Sequence, residues 1–166
     1  MTEQNLKKVP IAIVMISLNE AHNLDDLLKD ISEWAQEIFL VDSCSVDKTV
    51  DIALQYGVHV VQREFSGFGD QWNFAIDTLP ITTPWTMKLD PDERLTKGLK
   101  TSIENMIKEE GVDGISINRR LWFMGKVLPV TQPVLRVWRS GKCQFTDVLV
   151  NEHPVVEGNI KIATGY

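Results

Sequence analysis

Pro10-Ile11-Ala12-Ile13-Val14-Met15-Ile16-Ser17-Leu18 is a nearly unbroken apolar and β-branched run that stops at Asn19-Glu20. A strand with one wet face alternates apolar and polar residues, whereas a strand covered on both faces does not. The stretch therefore predicts a central strand with helices packed on either side of its sheet.

The residues that follow extend this pattern. Leu24, Leu27, Leu28, Ile31 and Trp34 recur at spacings of three and four, which predicts an amphipathic helix over 23–34 with Asn23 as its N-cap. A second buried strand is expected at 37–41, a polar turn from Asp42 to Asp47, a helix over 48–56 closed by Gly57, and a third strand at 58–62. Strands alternating with short helices build a parallel sheet, so the fold class is α/β.

Further along, Trp72, Ala75, Ile76 and Leu79 predict a helix over 70–79, and 85–89 a fourth strand that runs straight into Asp90-Pro91-Asp92-Glu93. Leu99, Ile103, Met106 and Ile107 give a last helix over 96–110. From Val112 to Val150 stretches such as Val134-Leu135-Arg136-Val137-Trp138 lack a helical period, which predicts antiparallel strands. No closing element is expected over 155–166.

Composition narrows the function classes. With 166 residues and 43% hydrophobic content the chain suits one domain with a real core. A net charge of −6 argues against a protein that coats nucleic acid, which needs surplus Lys and Arg. Cys44 and Cys143 are far apart and His22, His59 and His153 have no ligand spacing, so neither a disulfide scaffold nor a zinc site is expected. The two widely separated cysteines suit a reducing cytosol, and the polar N-terminus with no apolar run of about 20 residues suits a soluble domain; the expected location is the cytoplasm, with at most peripheral contact with the inner face of the membrane.

In an open parallel sheet, ligands bind beyond the carboxyl ends of the strands. Asn19-Glu20, Asp42-Ser43, Arg63-Glu64 and Asp90-Pro91-Asp92-Glu93 all fall there. Asp90 and Asp92, one residue apart, suit one hard divalent cation, Mg2+ or Mn2+, that keeps positions open for phosphate oxygens; the competing reading is a proline surface turn. Asp42 suits a base or ribose, or else an Asx turn. Glu152, beside His153, is the candidate general base. Trp72 and Trp122, in glycine-bearing neighbourhoods, are candidate sugar platforms.

The combined motifs are more specific than any one of them. Ile16-Ser17-Leu18-Asn19-Glu20, Leu40-Val41-Asp42-Ser43-Cys44-Ser45-Val46-Asp47-Lys48-Thr49, Phe65 to Ala75 and Leu89-Asp90-Pro91-Asp92-Glu93, in this order, resemble the inverting family-two glycosyltransferases. The bacterial branch that includes lipopolysaccharide inner-core glucosyltransferases is the nearest in pattern. Weaker agreement continues through Leu135 to Arg139 and Val150-Asn151-Glu152, where the family has His at the position of Asn151.

This resemblance implies a GT-A fold, Rossmann-like, with a mixed sheet whose N-terminal half is mainly parallel and flanked by helices. It also implies one domain over 1–166, truncated on its C-terminal acceptor side. Asn19, Glu20 and Asp42 would line the nucleotide pocket, Gln71 and Asn73 would help close the donor site, Asp90 would lie near ribose and diphosphate, and Asp92 would bind the metal. The implied reaction passes a hexose from a nucleotide-diphosphate sugar, UDP-glucose-like, to a saccharide or lipid-linked acceptor. The alternatives are a non-catalytic nucleotide-sugar-binding module or part of a larger enzyme, and a magnesium phosphohydrolase. The phosphohydrolase is disfavoured because Arg94-Leu95 follows Asp92-Glu93 where that chemistry has Thr or Val.

Overall fold

The computed structural model describes residues 8–165; the polar N-terminal residues 1–7 and Tyr166 lie outside it. The chain order is β1 (Val9–Ser17), α1 (Ala21–Ile31), β2 (Ala35–Asp42), α2 (Thr49–Gln55), β3 (His59–Gln62), α3 (Phe68–Thr78), β4 (Trp85–Lys88) and α4 (Lys97–Met106). It continues with β5 (Gly114–Phe123), β6 (Lys126–Arg139), β7 (Cys143–Phe145), β8 (Pro154–Val156) and β9 (Ile160–Ile162).

The main sheet runs β3-β2-β1-β4-β6-β5-β9. Strands β1 to β4 are parallel, β6 is antiparallel to β4 and β5, and β9 is parallel to β5. β1 sits between β2 and β4, as its unbroken apolar run requires. Ile11, Ile13 and Met15 face one core with Leu24, Leu27, Leu28 and Ile31 of α1 and with Leu99 and Ile103 of α4. Ala12 and Val14 face a second core with Trp72 and Ala75 of α3, Phe145 of β7 and Trp138 of β6. Burial of each such Leu or Ile stabilises the fold by about 1.5–3 kcal/mol.

Several boundaries differ from the sequence expectation for identifiable reasons. α1 begins at Ala21, not after Asn23, because Asp47 Oδ2 accepts from the Ala21 N–H at 3.1 Å and supplies the first turn from outside the helix. Asn23 lies within the first turn, its amide donating to Glu20 Oε2 at 2.9 Å. α4 ends at Met106 because the N–H groups of Lys108 and Glu109 turn back to Asn105 and Met106, tightening the chain into Gly111 at φ 72°.

The expected absence of a closing element is overturned. β9 joins the main sheet along Gly114 to Ser116, and β8 pairs with β7. Three-residue strands give too little periodicity to be read in advance. Trp72 is fully buried and so is no sugar platform, while Trp122 is 70% exposed.

Candidate active site

The first loop of the site is held by Asp42 at the end of β2. Its Oδ1 accepts from Ser17 Oγ at 2.9 Å and Ser45 Oγ at 2.5 Å, and its Oδ2 from the Ser45 N–H at 2.8 Å and Gln62 Nε2 at 2.9 Å. Burial opposes ionisation, but the donors from Ser45, Gln62 and Ser17 together outweigh it and hold the carboxyl below its ordinary value. Asp42 is fully buried, so its carboxylate ties β1, β2 and β3 into one rim. The carboxylate is thus taken up in positioning the groups of the neighbouring loops.

Asn19 is one of these groups. It adopts φ 57°, in the left-handed region that Asn tolerates better than most residues. Its N–H donates to Ser45 Oγ at 2.8 Å and its Oδ1 accepts from the Val46 N–H at 2.9 Å, so the loops after β1 and β2 clasp each other. The Glu20 N–H donates to Thr49 Oγ1 at 2.8 Å, while Asp47 accepts from Ala21 and Thr49. Asp47 thus anchors the starts of α1 and α2, and the Thr49 hydroxyl foremost holds its carboxyl below the ordinary range.

Asp90 lies at the mouth of β4. Its Oδ2 is 3.1 Å from Arg136 Nη2, which also meets Glu93 Oε1 at 2.6 Å, and Glu93 Oε2 accepts from the Asp90 N–H at 3.1 Å. Burial, reinforced by the charge of Asp90, pushes the Glu93 carboxyl up against the pull of Arg136. Arg136 is 5% exposed, and its Nε has no hydrogen-bond partner among the described residues. Asp92, by contrast, is exposed and makes no hydrogen bond or ion pair with the described residues.

Asp90 also lines a cavity of about 510 Å³ with Lys88, Arg119, Arg136, Glu152 and His153. Volumes of this order suit small-molecule ligands. Lys88 Nζ contacts Glu152 Oε1 at 2.6 Å and lies over the Trp72 ring, 4.3 Å from its centroid. A larger hollow of about 720 Å³ is lined by Asp77, Lys142 and Glu157 and touches none of the strand-end residues, so the chemistry points to the smaller one.

Glu152 reaches the cavity through a backbone relay. Asn73 Nδ2 donates to the Phe145 carbonyl at 3.0 Å and Asn73 Oδ1 accepts from the Phe145 N–H at 2.8 Å, fixing β7 to α3. The Gly69 N–H donates to the Val148 carbonyl at 3.1 Å, and the loop then turns through Asn151, at φ 61°, to Glu152. Asn73, expected at the donor site, is therefore spent on holding this loop. Gln71 is fully buried and bridges Ser43 Oγ at 3.3 Å to Arg63 at 3.2 Å, so it too acts by positioning.

Lys88 was not singled out from the sequence, and Glu93, Arg119 and Arg136 were given no role of their own there. A lysine inside the apolar run Trp85-Thr86-Met87-Lys88 was the available signal, since a buried ammonium requires a partner.

Among the described residues no three His, Cys, Asp or Glu converge on a metal position. The donor set still fits Mg2+ or Mn2+, which bind through one or two carboxylates plus substrate phosphates. Asp92 offers an unpaired carboxylate, while Asp90 and Glu93 are already balanced by Arg136.

Comparison with known proteins shows the family and the fold. A glycosyltransferase from Rickettsia bellii, described as uncharacterized, is 34% identical over 113 residues, covering 68% of this chain and 37% of its own. The lipopolysaccharide core biosynthesis glycosyltransferase LpsC of Rhizobium meliloti is 28% identical, covering 93% of this chain and 60% of its own. The chain thus spans between about a third and three fifths of the length of the curated relatives it matches.

Two solved structures share the fold at 19% identity. S. aureus TarS 1-349 has a TM-score of 0.61, covering 78% of this chain and 47% of its own. Glucosyl-3-phosphoglycerate synthase from Mycobacterium tuberculosis, solved with uridine diphosphate, has 0.59, covering 78% and 56%. Both likenesses support the GT-A architecture expected from the sequence. The family model for glycosyl transferase family 2 matches residues 12–151, from the centre of β1 through every site loop to the residue before Glu152. The chain therefore belongs to glycosyl transferase family 2.

Proposed function

We propose that this chain binds a nucleotide-diphosphate sugar at the carboxyl ends of β1, β2 and β4 and transfers its hexose, with inversion, to a saccharide or lipid-linked acceptor. The observation that carries this reading is the meeting of Asp90 and Glu152, from distant parts of the chain, in one cavity. A UDP-hexose is the proposed donor, in keeping with the uridine diphosphate complex of the mycobacterial neighbour. The relation to LpsC supports an acceptor in envelope saccharide synthesis, of which the inner-core glucosyltransferase branch is the finer assignment.

Asn19 and Glu20, held by Ser45 and Thr49, would border the nucleoside. Asp90, oriented by Arg136, would border the ribose and diphosphate, and Asp92 would hold Mg2+ or Mn2+. When bound, such an ion offsets the charge that develops on the leaving diphosphate. Glu152 would take the proton of the attacking acceptor hydroxyl. Lys88 occupies its Oε1, and Oε2 has no partner among the described residues. A single in-line displacement with one carboxylate as base inverts the anomeric centre.

Donor turnover tests this against a purely binding module. With UDP-glucose and Mn2+ but no acceptor, a transferase releases UDP slowly, and Glu152→Gln is expected to lower that release at least about a hundredfold while still binding UDP. Intact donor after prolonged incubation with the unaltered protein would favour the binding module.

A further inference from the structure

Beyond Ile117 the β5–β6 hairpin leaves the sheet. Among the described residues β9 accompanies β5 only along Gly114 to Ser116, and β4 accompanies β6 only along Val137 to Arg139. The remainder, to the turn at Met124-Gly125, is a two-stranded arm about 20 Å long at about 3.3 Å per residue. Two strands with no third are marginal in water, so such an arm gains from a surface to lie on.

The tip is apolar where its geometry favours polar residues. Met124 and Gly125 have φ 49° and 75°, the two left-handed positions of a type I′ turn, where Asn-Gly is preferred. A methionine at the first of these positions works against the turn, and its side chain is 85% exposed. Trp122 and Phe123 beside it are 70% and 63% exposed. Val148, Leu149 and Val150, which lead into Asn151 and Glu152 of the cavity wall, are exposed as well.

The charge of this region is opposite to that of the molecule. The chain carries −6 overall, yet from Gly114 to Thr146 it has no Asp or Glu, and the arm itself carries Arg119, Arg120 and Lys126. Exposed aromatic and methionine side chains flanked only by cations match the interfacial layer of an anionic bilayer, where rings sit at headgroup depth and basic groups meet lipid phosphates.

We propose that the β5–β6 arm docks this protein on an anionic lipid surface, with Trp122, Phe123 and Met124 entering the interface and Lys126 meeting the headgroups. The cavity that holds Glu152 then opens beside the membrane, where a lipid-anchored acceptor would be presented. None of the arm-tip residues lines that cavity, so docking and nucleotide binding are separately measurable.

The test is flotation of the purified protein with vesicles of phosphatidylcholine and phosphatidylglycerol, and with phosphatidylcholine alone, at low and high salt. Expected are binding to the anionic vesicles, weakening by salt, quenching of Trp fluorescence by brominated lipid, and at least about tenfold weaker partition for Phe123→Ser/Met124→Ser and for Lys126→Glu. Circular dichroism and UDP titration of the same variants are expected to match the unaltered protein. Absence of binding to anionic vesicles, equal binding by the variants, or a hairpin-dependent dimer in place of vesicle binding would overturn the proposal. Loss of UDP binding in the unaltered protein would instead count against the donor site.

Discussion

Lys88 Nζ and Glu152 Oε1 lie 2.6 Å apart with only 8% and 11% of their side chains exposed, so a cation on β4 and a carboxylate from the loop before β8 are buried against each other. Removing one member of such a pair leaves an uncompensated charge, which costs about 3–5 kcal/mol, whereas replacing both by apolar groups costs far less. Lys88→Met is therefore expected to lower unfolding free energy by that amount and Lys88→Met/Glu152→Leu to recover most of it. Chemical denaturation of the two variants checks this, and equal losses would show that the pair is not coupled.

Asp42 makes the second prediction. Asp42→Asn places an amide NH2 against the donors from Ser45 and Gln62, leaving buried groups unpaired at about 1–3 kcal/mol. Because the folded-state pKa of Asp42 lies below its unfolded value, its contribution is present above the unfolded pKa of 3.8 and is lost as pH falls through the lower folded one. The stability gap between the unaltered protein and Asp42→Asn is thus expected to be constant near neutrality and to shrink below about pH 4. Denaturant melts across that range give the answer, and a gap that widens in acid would contradict the assignment.

Gly69 sits where α3 meets the loop that delivers Glu152. On helix propensity alone Gly69→Ala would stabilise the chain by about 1 kcal/mol. A Cβ there, however, would overlap the Thr146 carbonyl oxygen and stand 2.8 Å from the Val148 nitrogen, both backbone atoms. The loop must move, and a shift of about 1 Å in a catalytic group costs on the order of a hundredfold in rate. Donor turnover is expected to fall by that factor with UDP affinity little changed; unaltered turnover would separate this loop from catalysis.

The fold was legible from the sequence because β1 and α1 carry strong local signals. Nine apolar or small residues without alternation can be covered only on both faces, and Leu24, Leu27, Leu28 and Ile31 leave one helical register. The rims of the elements were not legible, since the start of α1 depends on Asp47, which is distant in sequence from Ala21. β8 and β9 were missed for a related reason: Ile160-Lys161-Ile162 becomes a strand only because Gly114 to Ser116 offers an open edge.

The strand-end carboxylates were legible for the same reason as the strands. What Asp42, Gln71 and Asn73 bond to was not, because residue type names a capacity for hydrogen bonding while the partner is set by packing. Asn73 could serve a ligand or a backbone, and the nearness of Phe145 decides for the backbone. Arg136 was passed over because nothing in Leu135-Arg136-Val137 shows that its guanidinium faces Asp90 and Glu93 across the sheet.

Asp92 is exposed and has no partner among the described residues, so Asp92→Asn is expected to change stability by less than about 0.5 kcal/mol. With no carboxylate cage in the described residues, Mn2+ alone is expected to bind weakly and Mn2+ with UDP much more tightly. Thermal melts and manganese titrations without nucleotide test these two points, and tight Mn2+ binding without UDP would require ligands other than Asp92.

The central claim is tested most directly by calorimetric titration of UDP, GDP and ADP into the unaltered protein and Asp92→Asn, with and without Mn2+. The expected result is Mn2+-dependent binding of UDP in preference to the other two, abolished by Asp92→Asn in a protein that melts at an unchanged temperature. UDP binding that is equal in the variant, or absent from the unaltered protein with Mn2+ present, would contradict the assignment of this strand-end crevice as a metal-dependent nucleotide-sugar site.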